Sequence, residues 1–212
     1  MLCDSTETTR QRLLDTAEQL FAERGFQATT MRAVTAAAGA NIAAVNYYFG
    51  SKQALLEAVM HRALEPIVEE RTRRLDALER RGEPTVEEIV DAIIGPLIER
   101  LLADPDARVL RLFGRLLVDP DREMRVLVKQ EVSDAQARQL SMLERAVPGV
   151  CREELWLRMR SIFAVVGFQL TGGFERVACN PADDARAELR ARLVRFLAAG
   201  LSAPASEPAL SA

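Results

Sequence analysis

The stretch Ala38-Gly39-Ala40-Asn41-Ile42-Ala43-Ala44-Val45-Asn46-Tyr47-Tyr48-Phe49-Gly50-Ser51-Lys52 decides the fold. Gly39 marks a tight turn. Asn41 is a helix cap, since its side-chain oxygen can accept a free backbone N–H, and a short helix follows over Ile42 to Tyr48. Upstream, Thr29 or Thr30 caps another short helix, Met31 to Ala38, with Met31, Val34 and Ala38 facing inward. A short helix, a glycine-containing turn and a second short helix make the helix-turn-helix plan, in which the two helices cross steeply. Ala37 and Ala38 are small enough to let them approach at the turn.

Working outward, Leu13, Leu14, Ala17, Leu20 and Phe21 recur at helical spacing and predict a helix from Thr8 to Arg24. Gly25 ends it, and Phe26 turns back into the core. On the other side Ser51 caps a helix that begins Lys52-Gln53-Ala54-Leu55-Leu56 and runs to Arg81, with Pro66 inside it as an expected kink. Gly82, Glu83 and Pro84 break the chain. Five more helices are expected: Val86–Ala103 (with Pro96 internal), Asp106–Val118, Asp119–Ala146, Glu153–Val177 and Asn180–Ala199. Strand signals are nearly absent. The fold class is therefore all-α. It divides into a helix-turn-helix DNA-binding domain over 8–54, a second helical domain over 55–201 (to which the resemblance described below gives effector binding and dimerisation), and a disordered tail over 202–212 rich in Ala, Ser and Pro.

Composition narrows the function. The formal net charge is −3, which does not by itself exclude a DNA footprint, because a local basic patch suffices. Lys52 and Lys129 are the only lysines. No apolar run reaches the ~20 residues of a membrane span, and Met1 to Thr9 is polar and partly acidic, unlike a secretion signal. The expected compartment is the cytoplasm, with no membrane partner. Cys3, Cys151 and Cys179 are far apart and lack metal-ligand spacing. There is one histidine, His61, read as structural or solvent-facing. No Ser-His-Asp set, phosphate-binding glycine loop or nucleotide fingerprint is present, so no catalytic residue, metal or cofactor is expected. The alternatives to a DNA-binding regulator are a helical protein-interaction module and, further off, an enzyme.

A recognition helix inserts its N-terminal half into the major groove. Ile42, Ala43 and Ala44 suit contact with thymine methyl groups, and Asn46 suits a base edge or a phosphate. Tyr47 and Tyr48 bring phenolic hydroxyls to where phosphates pass. Thr29 and Thr30 offer a hydroxyl and free N–H groups at a helix start. Arg32 reaches a phosphate or groove edge, and Lys52 adds positive charge. Phe21, Phe26 and Phe49 are core.

The run Arg12-Leu13-Leu14-Asp15-Thr16-Ala17-Glu18-Gln19-Leu20-Phe21-Ala22-Glu23-Arg24-Gly25-Phe26, then Thr29-Thr30-Met31-Arg32-Ala33-Val34, then Val45 to Leu55, resembles the opening of TetR-type repressors. The resemblance covers residues 9 to 60 almost without gaps. It implies a DNA-binding regulator, usually a repressor, with DNA contacts at Thr30, Arg32, Ala43, Ala44, Tyr47, Tyr48 and Lys52. Asn46 departs from it, since most members carry tyrosine there. The resemblance also implies an all-helical ligand and dimer domain whose last two helices pair with their twofold mates. Here Phe163, Val166, Leu170, Leu189, Leu193, Phe196 and Leu197 supply an apolar seam, with Gly167 within it.

A narrower resemblance, carried by Asn41 to Lys52 and more loosely by Arg111 to Leu117 and Glu154 to Arg158, is to the PsrA-type fatty-acid-responsive branch. It implies a small apolar effector, a fatty acid or acyl thioester. Candidate lining residues are Met60, Leu64, Ile94, Leu97, Phe113, Met124, Leu127, Trp156, Met159 and Phe163, weighed against plain core positions. Arg115 and Arg160 are candidate partners of a carboxylate. The expected partners are double-stranded operator DNA, a second copy of the chain and that effector.

Overall fold

The computed structural model describes residues 3–104, 108–118, 136–173 and 183–205. Every regular element among them is helical. In chain order they are α1 (Cys3–Arg24), α2 (Met31–Ala37), α3 (Ile42–Phe49), α4 (Lys52–Arg81), α5 (Val86–Ala103) and α6 (Arg108–Val118). The described part of α7 covers 136–146. α8 (Arg152–Phe168) runs into a π-helical turn, Gln169–Gly173, and α9 (Asp183–Leu201) follows. The expected extension of α8 to Val177 and the start of α7 lie outside the described residues.

The chain divides into two compact units, Met1–Pro66 with Asp106–Phe113, and Ile67–Pro105 with Gly114–Ala212. The first unit takes α4 as far as Pro66. Leu55, Leu56 and Val59 are fully buried in the first unit. Arg62, two turns further along α4, donates to Asp15 (2.6 Å) and to Glu18 of α1. The first half of α4 therefore belongs with the helices before it.

In the first unit α1 packs on α2 and α3, and α2 packs on α3. Leu13, Leu14, Ala17 and Phe21 of α1, Val34 of α2 and Val45 of α3 are buried together with the start of α4. The expected apolar stripe of α1 is thus the inner face of the unit. Phe26 meets Phe21 with ring centroids 5.6 Å apart.

In the second unit α5 is the central helix. Ile89, Val90, Ala92, Ile93, Ile94, Leu97 and Ile98 are all buried, so the helix is covered almost all round. Each such Ile or Leu contributes about 1.5–3 kcal/mol relative to exposure. Its start is fixed by a capping box: Thr85 Oγ1 accepts from Glu88 N at 3.2 Å, and Glu88 Oε2 accepts from Thr85 N at 2.9 Å. α5 packs on α9, and α8 packs on α9.

Ion pairs run across this unit. Arg74 donates to Glu70 and Glu99, each at 2.7 Å, and Arg190 pairs with Asp91 and Glu99. The lattice lies over Gly95, where a Cβ would come within 2.8 Å of Arg74 Nη1. Hydrogen bonds from Arg73 and Arg74 hold the Glu70 carboxyl at a pKa of about 2. Arg158 of α8 closes the end of α9: it donates to the carbonyls of Leu201 (2.8 Å), Ala203 (2.6 Å) and Pro204 (2.8 Å) while paired to Glu154. Ala203 and Pro204, assigned to the tail by sequence, are therefore tied to α8; residues from 206 lie outside the described ones.

α6 meets the end of α8 at Gly114. A Cβ there would lie 2.5 Å from Leu170 Cβ and 2.7 Å from the Gly167 carbonyl oxygen. Backbone and a Cβ cannot swing aside as a long side chain can. Gly114→Ala is expected to destabilise the protein by about 1–3 kcal/mol through overpacking, read as a lower denaturant midpoint; an unchanged midpoint would show that the two helices separate at no cost.

Candidate nucleic-acid interface

α2 and α3 are both short and both capped by side chains. Thr30 Oγ1 accepts from Ala33 N at 3.1 Å, and Asn41 Oδ1 accepts from Ala44 N at 2.7 Å. Between them Gly39 has φ +60 and Ala40 N donates to the Thr35 carbonyl at 2.9 Å. That left-handed step makes the turn tight, and glycine adopts it without a Cβ penalty. Gly50, φ +73, ends α3 with its N–H on the Asn46 carbonyl. Ser51 Oγ then accepts from Ala54 N at 3.0 Å at the start of α4. The glycines and caps named from sequence thus carry the helix-turn-helix geometry.

Val45 fixes the rotation of α3. It is fully buried, and it leaves Ile42, Ala43, Asn46 and Tyr47 on the opposite, exposed face. Tyr47 is 81% exposed, an unusual state for a large aromatic side chain. Its ring stands edge-on to Tyr48, centroids 5.1 Å apart at 77°, and Tyr48 in turn leans on Phe49. Tyr48 and Ala44 are half-buried at the margin. Thr30, Arg32 and Asn41 are exposed beside this face.

Charge supports the same surface. Between Glu23 and Glu57 there is no acidic residue, and Arg24, Arg32 and Lys52 are the only formal charges. A chain of net charge −3 therefore carries +3 across its helix-turn-helix segment, a signal legible in the sequence once charge is counted by window and not by chain.

Two of the expected contacts are different in kind. Thr29 is fully buried; its hydroxyl donates to the carbonyls of Gly25 (2.8 Å) and Leu20 (3.1 Å). It ties the loop back to the last turn of α1 and to Gly25 beyond it, and does not face outward. Thr29→Val is expected to cost about 1–3 kcal/mol of stability while leaving the operator affinity of the folded protein unchanged. A stable variant with weakened DNA binding would return Thr29 to the interface. Lys52 is half-buried, donates to the Gln27 carbonyl at 3.2 Å and sits 4.3 Å over the Phe26 ring. Its ammonium is anchored to the loop between α1 and α2, so it acts as a fixed charge.

The expected effector-lining residues fall in both units. Met60, Leu64 and Phe113, all half-buried, belong to the first. In the second, Ile94, Leu97 and Met159 are buried and Phe163 is half-buried. Trp156 is 42% exposed and lies under the Arg160 guanidinium, 4.7 Å from the ring centroid, so it is a surface residue and not part of an enclosed lining. Arg160, expected to meet a carboxylate, is occupied by that stacking. Met124 and Leu127 lie outside the described residues. His61 is exposed beside Glu65, and Cys151 is an exposed free thiol. Among the described residues no group of side chains could hold a metal ion, and no helix is long and apolar enough to cross a membrane.

Comparison with known proteins agrees with this geometry. Residues 13–59 match the family model for bacterial regulatory proteins of the tetR family, and residues 91–200 match the model for the tetracyclin repressor-like C-terminal domain. No curated protein matches the chain. Among solved structures, the fatty acid degradation regulator FadR from Bacillus halodurans is 16% identical with a TM-score of 0.66, covering 91% of this chain and 96% of its own. FadR from Bacillus subtilis, solved in complex with stearoyl-CoA, is 15% identical with a TM-score of 0.62, covering 90% and 98%. NalD of Pseudomonas aeruginosa, the secondary repressor of the MexAB-OprM multidrug efflux pump, is 21% identical with a TM-score of 0.58, covering 93% and 97%. At these identities the likeness establishes the fold. With two family models spanning the helix-turn-helix and most of the helical remainder, the chain belongs to the TetR family of bacterial transcription regulators.

Proposed function

We propose that the protein is a repressor that binds a palindromic operator as a homodimer and is released by a small apolar effector of the fatty acid or acyl thioester class. The observation that carries the DNA half is the exposed face of α3, Ile42, Ala43, Asn46 and Tyr47, held outward by buried Val45 in a segment free of acidic residues. Methyl groups and an amide read base edges, while Tyr47, Thr30 and Arg32 meet phosphates.

The homodimer reading rests on α8 and α9. Leu157 (62% exposed), Ala164 and Phe168 (62%) form one stripe of α8, and Phe196 on α9 is 67% exposed. Apolar side chains so exposed mark an interaction surface. Val166, Leu170 and Leu197, expected in the seam, are buried within the chain itself, and Gly167 faces Gly114. The seam is therefore reassigned to Leu157, Phe168 and Phe196 with half-buried Leu189 and Leu193. A twofold dimer sets two α3 helices on half-sites about 34–36 Å apart. An effector that prefers another spacing lowers operator affinity by its differential affinity for the two states. The apolar class of effector is supported by the buried Ile94, Leu97 and Met159 and by the stearoyl-CoA bound to the Bacillus subtilis relative.

The test is binding to the promoter DNA of the protein's own and neighbouring genes, titrated with salt and then with palmitate and palmitoyl-CoA. Salt-sensitive, sequence-specific binding that an acyl compound releases is the expected result. Specific binding that neither compound changes would discard the acyl effector and keep the regulator. Absence of specific binding would leave a helical interaction module.

A further inference from the structure

Several arginines in the second unit are matched to acids. Arg73 and Arg74 share Glu70, and Arg74 also reaches Glu99. Arg190 takes Asp91 and Glu99, Arg138 takes Asp76 and Glu79, and Arg158 takes Glu154. Arg71 has no hydrogen-bond or ion-pair partner among the described residues, and its Nε is shut off from solvent and unbonded. It projects from the inner face of α4, one turn from Ile67 (4% exposed) and one from Leu75 (3%). Desolvation alone pulls its pKa down to about 10, so the group stays a cation at neutral pH.

A cation whose Nε is shut off from solvent with no bond among the described residues is costly. Glu70, Asp76, Glu79, Asp91, Glu99 and Glu154 each already serve another arginine. A guanidinium binds oxyanions through a planar fork that includes Nε–H, and it does so best where water is excluded. The flanking side chains on α4 are aliphatic, which suits a hydrocarbon segment next to the anion. A second arginine-rich place, the cleft of about 530 Å³ between α4, α5 and α9, includes Arg73, Arg74, Arg190 and Arg195 but not Arg71. An anion there would have to displace Glu70, Asp91 or Glu99, so that cleft is already neutralised.

We infer that Arg71 is the group that receives the oxyanion of an amphiphilic effector. The inference rests on the effector reading above and adds to it the charge of the ligand and the residue that recognises it. The oxyanion comes either from a free fatty carboxylate or from the phosphates of an acyl thioester.

The test measures binding of palmitate, palmitoyl-CoA and uncharged 1-hexadecanol to the full chain, as wild type, Arg71→Met and Arg71→Lys, together with the melting temperature of each ligand-free protein. The wild type is expected to prefer an anionic probe to hexadecanol by at least ~10-fold. Arg71→Met is expected to lose that preference, keep hexadecanol binding and melt no lower than wild type, because a desolvated Nε with no bond among the described residues has been removed. Arg71→Lys, which keeps the charge and loses the fork, is expected to fall between. Whichever anionic probe loses affinity in Arg71→Met identifies the source of the oxyanion. Equal binding of charged and uncharged probes by the wild type overturns the inference and leaves the apolar effector standing. So does an anion preference that survives in Arg71→Met. If Arg71→Met melts lower and binds all probes equally weakly, the arginine is structural. If the wild type binds none of the three, both the inference and the acyl effector reading fail. Should Arg71→Met not fold, the wild-type preference and Arg71→Lys decide.

Discussion

The double replacement of Phe168 and Phe196 by aspartate is expected to convert the protein to a monomer in sedimentation and to weaken operator binding by about 10²–10⁴-fold. Both rings are more than three-fifths exposed on helices that pack against each other. Burial of one phenylalanine side chain is worth about 1.5–3 kcal/mol, and a twofold interface buries each ring twice. Four rings then contribute about 6–12 kcal/mol, more than any rim polar contact can replace, and the aspartates add like charges near the axis. A monomer still presents α3, but each half-site then binds alone, without the effective concentration its mate supplies. Since neither ring is packed inside the chain, helix content and thermal unfolding of the monomer should stay close to wild type. A variant that still sediments as a dimer would move the seam elsewhere; one that unfolds would show that the rings are needed within the subunit.

Tyr47→Ala is expected to lower operator affinity by roughly 30- to 150-fold without changing stability, from about 1–1.5 kcal/mol per half-site counted twice in a dimer. The ring is 81% exposed and rests only edge-on against Tyr48. Removing it leaves no cavity and strands no buried polar group, so the fold has nothing to lose. Tyr47→Phe separates the two parts of the effect, for it keeps the ring and deletes the hydroxyl proposed to donate to a phosphate. An alanine variant with wild-type affinity would mean that the end of α3 stands away from the DNA. A variant with reduced affinity and reduced stability would make Tyr47 a packing residue for Tyr48 instead.

Much of this was legible before any coordinates, and the reason is local. Glycines at 25, 39 and 50, the caps Asn41 and Ser51 and the stripe on α1 all express themselves within a few residues of chain. Each agrees with the observed helix ends to within a few positions, apart from α1, which begins at Cys3. The capping box Thr85–Glu88 is equally local. What sequence could not resolve depends on which neighbour a side chain meets. Thr29 and Thr30 are indistinguishable as letters; only the return of the chain past α1 sends one hydroxyl inward to Gly25 and Leu20 and leaves the other to cap α2. Helical periodicity marks α8 and α9 as apolar on more than one side, but it cannot say which side the rest of the subunit covers, and so buried Val166 and Leu197 were assigned to the seam with exposed Phe196. Trp156 reads as core by type and is surface by position. Arg71 gives no signal at all in a chain rich in arginine, because its distinction is an Nε left unbonded among the described residues.

The clasp of Arg158 on the end of α9 bears on how the protein opens. Helix ends ordinarily fray first, since their last carbonyls have only water to bond. Here the carbonyl of Leu201, the last residue of α9, and those of Ala203 and Pro204 beyond it bond a guanidinium that is rooted in α8 and braced by Glu154. The last turn of α9 can therefore unwind only if Arg158 lets go. The end of one helix and the first turns of another become a single cooperative unit in hydrogen exchange, and amides around 198–202 inherit the protection of α8 in place of the rapid exchange usual at a helix terminus.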